Sequence, residues 1–268
     1  MAFDTHTHVF EEALDDKEKV REAIKEINNN SSLEGVINIG LDIPTSKECV
    51  FISNNNQKFY SAVGVHPLHI GSYNPDDLYD DLSSLAKNDK VVAIGEIGLD
   101  NTFLEDDSLK REIIFRRQED FFVRQIEIAN SLELPIIIHS NNRNKQVLDI
   151  LRSTTPKCGC VFHCFQPDLD DLKEIIKNGY YISFAGRITY KTAKKSIEVA
   201  KAVPNDLFVV ETDSPFVSPE PFRNEKGKSS YITYIIEKLA EVKGMSYEEI
   251  EKISSNNAKR LFKIRTSH

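Results

Sequence analysis

The chain has no tryptophan, and its four cysteines are poorly placed for a disulfide framework: Cys49 stands alone, while Cys158, Cys160 and Cys164 crowd into seven residues. No C-x-x-C pair occurs, which removes the usual thiolate zinc site. No apolar run approaches the roughly 20 residues of a membrane span. The N-terminus lacks the basic segment and apolar core of an export signal. Positive charge is short: Lys and Arg number 34 against 42 Asp and Glu, a formal charge of −8. The overall field therefore does not draw the chain to nucleic acid or an anionic membrane. A phosphate-bearing partner needs a local basic patch or metal ions. Low-complexity tracts, long linkers and short-period repeats are also missing. These absences leave a reduced, soluble, cytoplasmic protein as the expectation.

What is present is alternation. Short apolar runs, the signature of strands buried on both faces, take turns with amphipathic segments. The expected strands are Ala2–His6, Gly35–Ile39, Phe59–Val65, Val91–Ile94, Pro135–Ile138, Cys160–Phe162, Tyr180–Phe184 and Leu207–Val210. A first helix over Asp15–Asn28 places Val20, Ala23, Ile24 and Ile27 on one face. Thr45 or Ser46 is read as the cap of the second, through Cys49, Val50 and Ile52. Asn74-Pro75 reads as a cap followed by proline in the first turn, ahead of Leu78, Leu82 and Leu85. A long helix over Ser108–Ser131 turns Phe115, Phe122, Ile126 and Ala129 inward. Asp168 caps a helix that buries Leu172, Ile175 and Ile176. The remaining helices are expected at Lys145–Leu151, Thr192–Val203, Tyr231–Val242 and Tyr247–Ser255. Eight βα units in 268 residues predict an α/β fold, a single (β/α)8 TIM barrel domain over residues 1–268. An open doubly wound sheet has no support, because no glycine-rich phosphate fingerprint follows an early strand.

The histidines fall on that frame in a pattern. His6 and His8 lie two apart at the end of the first strand, where residues i and i+2 share a side. His66 ends the third strand with His69 just after it, His139 ends the fifth, and His163 the sixth. Glu96 follows the fourth strand, and Glu211 and Asp213 follow the eighth. His268, the terminal residue, is set aside. In a barrel the strand C-termini converge on the face that carries the active site. Any one of these residues alone reads as a hydrogen-bonded rim or turn residue. Together they form a metal site at the C-terminal ends of the strands, suited to zinc, manganese, magnesium or nickel. The donors suffice for two divalent ions with a bridging carboxylate.

Several segments carry a resemblance: Phe3-Asp4-Thr5-His6-Thr7-His8, Gly64-Val65-His66-Pro67, Ala93 to Asp100, Arg117-Gln118 with Gln125, Pro135 to Ser140, His163-Cys164-Phe165, Glu211 to Pro215, and the closing Asn257 and Phe262. Over nearly the whole length the chain resembles the TatD-type family of metal-dependent deoxyribonucleases, within the amidohydrolase-like barrels. The resemblance implies metal ligands at His6, His8, Glu96, His139, His163 and Asp213. Glu96 would bridge, and Asp213 would meet the ion or its water. It implies a phosphodiesterase that trims DNA, often from the 3′ end, with divalent metals.

The chemistry agrees. A divalent cation lowers the pKa of water from about 15.7 toward 7, and a pair of ions stabilises attacking and leaving oxygens. Asp213 and Glu96 are the expected catalytic carboxylates, with Asp213 orienting the water or taking its proton. His66 is suited to a phosphate oxygen or to the leaving oxygen, and equally to a turn before Pro67. Glu211 is expected to orient a ligand from behind. The sequence departs from the family where substrate is held. Asn141-Asn142-Arg143 stands where arginine usually follows His-Ser, so Arg143 would substitute. Gln166-Pro167 replaces the usual Ser-Gly, and Arg223 is kept without its following glycine.

His66, Arg143 and Arg223 are therefore the expected substrate contacts. With Arg187, Lys191, Lys194, Lys195, Lys145, Lys226 and Lys228 the two arginines form a basic collar if they rim one mouth; Lys194 and Lys195 read rather as solvated helix lysines. No aromatic platform for base stacking is evident, so DNA ends or single strands would be bound without sequence specificity. Two rivals remain at this stage. One is a hydrolase of a small amide, ester or lactone on the same metal centre, since fold does not fix substrate. The other is a non-catalytic binding protein on the same barrel.

Overall fold

The structure, a computed structural model, describes residues 1–71, 73–102, 108–166 and 168–264. Pro167 and His268, singled out above, lie outside them. Strands β1 (Ala2–Thr7), β2 (Leu33–Ile39), β3 (Phe59–Val63), β4 (Val91–Asp100), β5 (Ile136–Asn141), β6 (Cys160–Phe162), β7 (Tyr181–Phe184) and β8 (Phe208–Val210) pair in parallel in sequence order. The seam closes just past β8. Thr7 bridges Ser214, Asp213 N–H donates to His6 O at 2.9 Å, and His8 N–H to Ser214 O at 2.7 Å. This is the expected (β/α)8 barrel.

The connecting helices are α1 (Glu11–Leu14), α2 (Lys17–Asn29), α3 (Ile43–Asn55), α4 (Leu78–Ala86), α5 (Ser108–Ser131), α6 (Asn144–Ser153), α7 (Leu169–Lys177), α8 (Lys194–Ala202), α9 (Ile232–Lys243) and α10 (Tyr247–Leu261). Asp168 caps α7 as expected, whereas Asn74 caps a 3₁₀ turn, Pro75–Asp77, that leads into α4. The second expected helix starts earlier than Thr45 or Ser46. Asp42 is its cap, and Thr45 returns the bond as the third residue of a capping box. None of the described helices is long and apolar enough to cross a membrane. All four cysteines are free.

Side chains divide into two cores. The larger lies between strands and helices, with Val36, Ile94, Ile136 and Phe208 facing α-helical partners such as Phe122, Ile126 and Ile235. The smaller takes residues from every strand, including Phe3, Ile37, Ala62, Ala93, Ile137, Val161, Tyr181 and Val209. That membership marks it as the barrel lumen. Ala258, Leu261 and Phe262 close its floor. This docking is why α10 runs past the expected end at Ser255: burial of its last turn holds the helix. With the floor packed, the other end of the lumen is left for polar residues.

Candidate metal centre

The polar end is built first from β1. Both His6 and His8 are buried. Asp4 anchors the strand across the seam, accepting from Thr212 N–H at 2.9 Å and Thr212 Oγ1–H at 2.6 Å. Burial pushes the Asp4 carboxyl up to about 7, against the lowering effect of those bonds. Beyond His8 the buried Asn38 side chain clamps Val9, accepting from its N–H at 2.7 Å and donating to its carbonyl at 2.9 Å.

Glu96 comes from β4. That strand runs six residues past its expected end at Ile94, so Glu96 lies within it rather than after it. Its glycines permit pairing with β5. Gly98 has φ of +142°, and a Cβ there would collide with the His139 carbonyl of β5. The β4–β5 register slips between Ile94 and Ile97, an irregularity of the kind that re-aims a side chain. Helix α5 fixes the neighbouring ends. Gln125 Oε1 accepts from Val65 N–H at 2.7 Å, and Gln118 Oε1 accepts from Asp100 N–H at 3.0 Å.

The two carboxylate oxygens of Glu96 face different histidines. Oε2 lies 3.3 Å from His6 Nε2 and 4.0 Å from His8 Nε2. Oε1 lies 2.6 Å from both His139 Nδ1 and His163 Nε2. Asp213 Oδ1 completes the first group at 3.4 Å from His8 Nε2 and 3.9 Å from His6 Nε2. The residue adopts φ of +53°, a left-handed conformation that aspartate tolerates better than most residues.

For His8 and His139, hydrogen bonds on the far side of the ring decide which nitrogen faces the cluster with a lone pair. His8 Nδ1 lies 3.0 Å from Ile39 O, which can only accept, so Nδ1 carries the hydrogen and Nε2 is free to ligate. His139 Nε2 lies 2.6 Å from Asp100 Oδ2, leaving Nδ1 toward Glu96. His163 Nε2 points inward to Glu96, while its Nδ1 is buried without a hydrogen bond, with Glu211 Oε1 3.5 Å away. His66 is the reverse. Its Nδ1 accepts from Leu68 N–H at 3.1 Å, so Nε2 carries a hydrogen and faces Glu96 Oε1 at 3.7 Å. The tautomer makes His66 a donor rather than a ligand.

These clusters suit a divalent cation. Two ligands about 2.0–2.1 Å from one tetrahedral ion lie about 3.3 Å apart. His6 and His8 nitrogens are 3.2 Å apart, as are those of His139 and His163. Imidazole and carboxylate are the donor types of borderline cations. His6–His8–Glu96 and Glu96–His139–His163 each bring donor atoms within 4.8 Å of one another.

Without metal the cluster holds protons instead. Burial opposes ionisation of Glu96, but the rings of His163, His6 and His66 and the hydrogen bond to His139 hold its carboxyl well below the usual range. Burial likewise opposes protonation of His163, yet Glu96 and Glu211 raise its pKa well above the ordinary value. His139 is raised in the same way by Asp100 and Glu96. For His66 burial wins, reinforced by His139, and its pKa falls well below the ordinary value.

A family model for TatD-related DNases matches residues 3–263. The chain belongs to the TatD-related DNase family. A relative, YabD of Bacillus subtilis (strain 168), named an uncharacterised metal-dependent hydrolase, is 38% identical over 266 residues, 98% of this chain and 100% of its own. YcfH of Escherichia coli (strain K12), named likewise, is 36% identical over 209 residues, 77% of this chain and 74% of its own. Among solved structures, the TatD homologue YjjV from Escherichia coli K12 superposes with a TM-score of 0.85 at 24% identity, covering 98% of both chains. A TatD-family hydrolase from Entamoeba histolytica gives 0.77 at 19% identity, again over 98% of both. At these identities the structural likeness speaks for the fold. Family membership and the clustered donors together make the chain a metal-dependent hydrolase of the TatD type.

Not every expected residue joins this TatD-type centre. Arg143 bonds Asn101 Oδ1 at 3.0 Å, and its guanidinium lies 3.7 Å from the Phe115 ring centroid. Phe115, expected in the core, is therefore half-buried beneath a cation. Arg223 is exposed and lies 4.3 Å from the Tyr190 ring centroid, lining a cleft beside the centre. Two features were missed in sequence. Asp100 orients His139, and only its place at the end of a quoted motif pointed to it. Phe216, 53% exposed with its ring 5.4 Å from that of His8, is an aromatic surface at the mouth, where none was expected.

Proposed function

We propose that the chain is a metal-dependent phosphodiesterase that hydrolyses DNA at ends or in single strands, trimming from the 3′ end. The observation that carries this reading is the placement of Glu96, with one oxygen toward the His6–His8 pair and the other toward the His139–His163 pair. Adjacent sites sharing one carboxylate suit in-line displacement at phosphorus, where attacking and leaving oxygens both need stabilisation. The DNase name of the matching family supports the same substrate class.

In this reading His6, His8 and Asp213 would hold one divalent ion, His139 and His163 a second, and Glu96 both. When bound, such ions supply Lewis acidity toward a water molecule and a phosphoryl oxygen. Asp213, kept ionised by His8 and its neighbours despite burial, accepts the proton of the attacking water at its carboxylate. Neutral His66 donates from Nε2–H to a phosphoryl oxygen. Its depressed pKa keeps the ring neutral, so it serves as a hydrogen-bond donor rather than as an imidazolium acid. Arg223 contributes to substrate binding from the neighbouring cleft. Arg143, engaged with Asn101 and Phe115, is left out of the reacting centre.

The test is cleavage of a single-stranded oligonucleotide by chelated and then metal-reloaded protein, beside Glu96→Ala and a panel of small esters, amides and lactones. Metal-dependent shortening by the native chain alone is the expected result. Turnover of the small amides or esters with intact DNA would transfer the centre to the rival hydrolase.

A further inference from the structure

Beside the metal centre, after β7 and β8, lies a cleft of about 550 Å³, within the usual range of ligand sites. It meets the centre at two points. Phe216 sits at one, on the turn in which its N–H donates to Asp213 O at 2.8 Å. Phe165, two residues beyond His163, sits at the other. Gly186 lets the two loops approach closely, since a Cβ there would collide with the Val217 carbonyl. Arg187 follows that glycine directly and lines the cleft together with Arg223. Tyr190 braces Arg223 from below, itself held by donating to Ser218 O at 2.9 Å.

The lining is unusual for a chain of net charge −8. It carries two exposed arginines and, among the described residues, no carboxylate. Three aromatic rings, Phe165, Tyr190 and Phe216, share the same walls, and Phe216 is more than half exposed. Guanidinium groups recognise phosphate with paired donors, and an exposed ring stacks on any base. The combination matches one chemical unit, a nucleotide, and it adjoins the centre where a phosphodiester would be cut.

We propose that this cleft is a subsite for the nucleotide next to the scissile linkage, with Arg187 and Arg223 holding its phosphate and Phe216 stacking its base. The proposal rests on the phosphodiesterase reading for its orientation, and it adds residues that the sequence did not single out as substrate contacts, Phe216 above all. It also accounts for binding without sequence preference, since neither group reads base edges.

The experiment is calorimetric titration of the zinc-loaded chain with thymidine dinucleotides joined by an uncleavable methylphosphonate linkage. Three forms are compared: a 5′-terminal phosphate, a 3′-terminal phosphate, and neither. One terminal phosphate is expected to tighten binding about tenfold, and Arg187→Gln/Arg223→Gln to erase that gain. Phe216→Ala is expected to weaken all three forms while keeping the gain. Arg187→Gln alone, with a thermal melt for each variant, guards against misfolding. A phosphate gain that survives in the double variant, or none in the native chain, overturns the subsite even if the native chain cleaves DNA. Loss of the gain in a chain that leaves DNA intact upholds the cleft and removes the nuclease reading.

Discussion

Asp100 holds His139 by the ring nitrogen that the donor cluster leaves free, Oδ2 to Nε2 at 2.6 Å, while Nδ1 of the same ring meets Glu96 Oε1 at 2.6 Å. One imidazole is thus fixed between two carboxylates, and its tautomer is set from behind. Asp100 is itself tied to α5 through Gln118. Asp100→Ala is expected to weaken metal binding about 10–100-fold, the usual range for losing such an orienting partner. Competition against a chromogenic chelator measures it. An unchanged affinity would mean that His139 needs no orienting.

The His66 tautomer separates binding of metal from binding of substrate. His66→Ala is expected to lower kcat/KM by about 10²–10³, the scale of losing one preorganised donor, with metal content unchanged. His66→Gln, which keeps an N–H donor, should recover part of the loss. Metal lost along with His66 would make it a ligand.

Protons and metal compete for the same atoms. Glu96, with its pKa depressed from 4.5, contributes stability that is present above 4.5 and lost as pH falls through its folded value. His163, raised from 6.5, contributes stability that is full below 6.5 and lost as pH rises through its folded value. The metal-free chain is therefore expected to draw most from this cluster between pH 4.5 and 6.5. Zinc must displace the proton between His163 and Glu96, so its affinity should climb with pH and its binding should release protons. Melts of chelated protein and zinc titrations in buffers of different ionisation enthalpy test both statements. Zinc affinity that is flat across this range would contradict them.

Asn38 links the barrel to the site by satisfying both backbone groups of Val9. Asn38→Leu leaves a buried N–H and carbonyl unpaired, at a cost of about 3 kcal/mol. For a chain of this size that lowers Tm by roughly 6–12 °C. A Tm within about 1 °C of the native value would show that the loop after His8 finds other partners.

The sequence carried the barrel and its donors because both depend on local pattern. Apolar runs mark the strands, and a polar residue that ends each run falls on one face. His6, His8, His139 and His163 were readable for that reason. Features made by packing between distant segments were not. The continuation of β4 through Gly95–Asp100 exists because β5 lies close enough to pair with a glycine-rich stretch. The cap at Asp42 depends on a reciprocal bond from Thr45. Phe216 reads as one apolar residue in a loop, and its place beside His8 comes only from closure of the seam.

Metal content and DNA cleavage, measured on the same sample of native and Glu96→Ala protein, test the central claim most directly. The expected result is bound divalent metal in the native chain, cleavage of single-stranded DNA that chelation abolishes and added metal restores, and neither property recovered in Glu96→Ala. A native chain that holds metal and hydrolyses small esters or amides while leaving DNA intact, or an active Glu96→Ala protein, would contradict it.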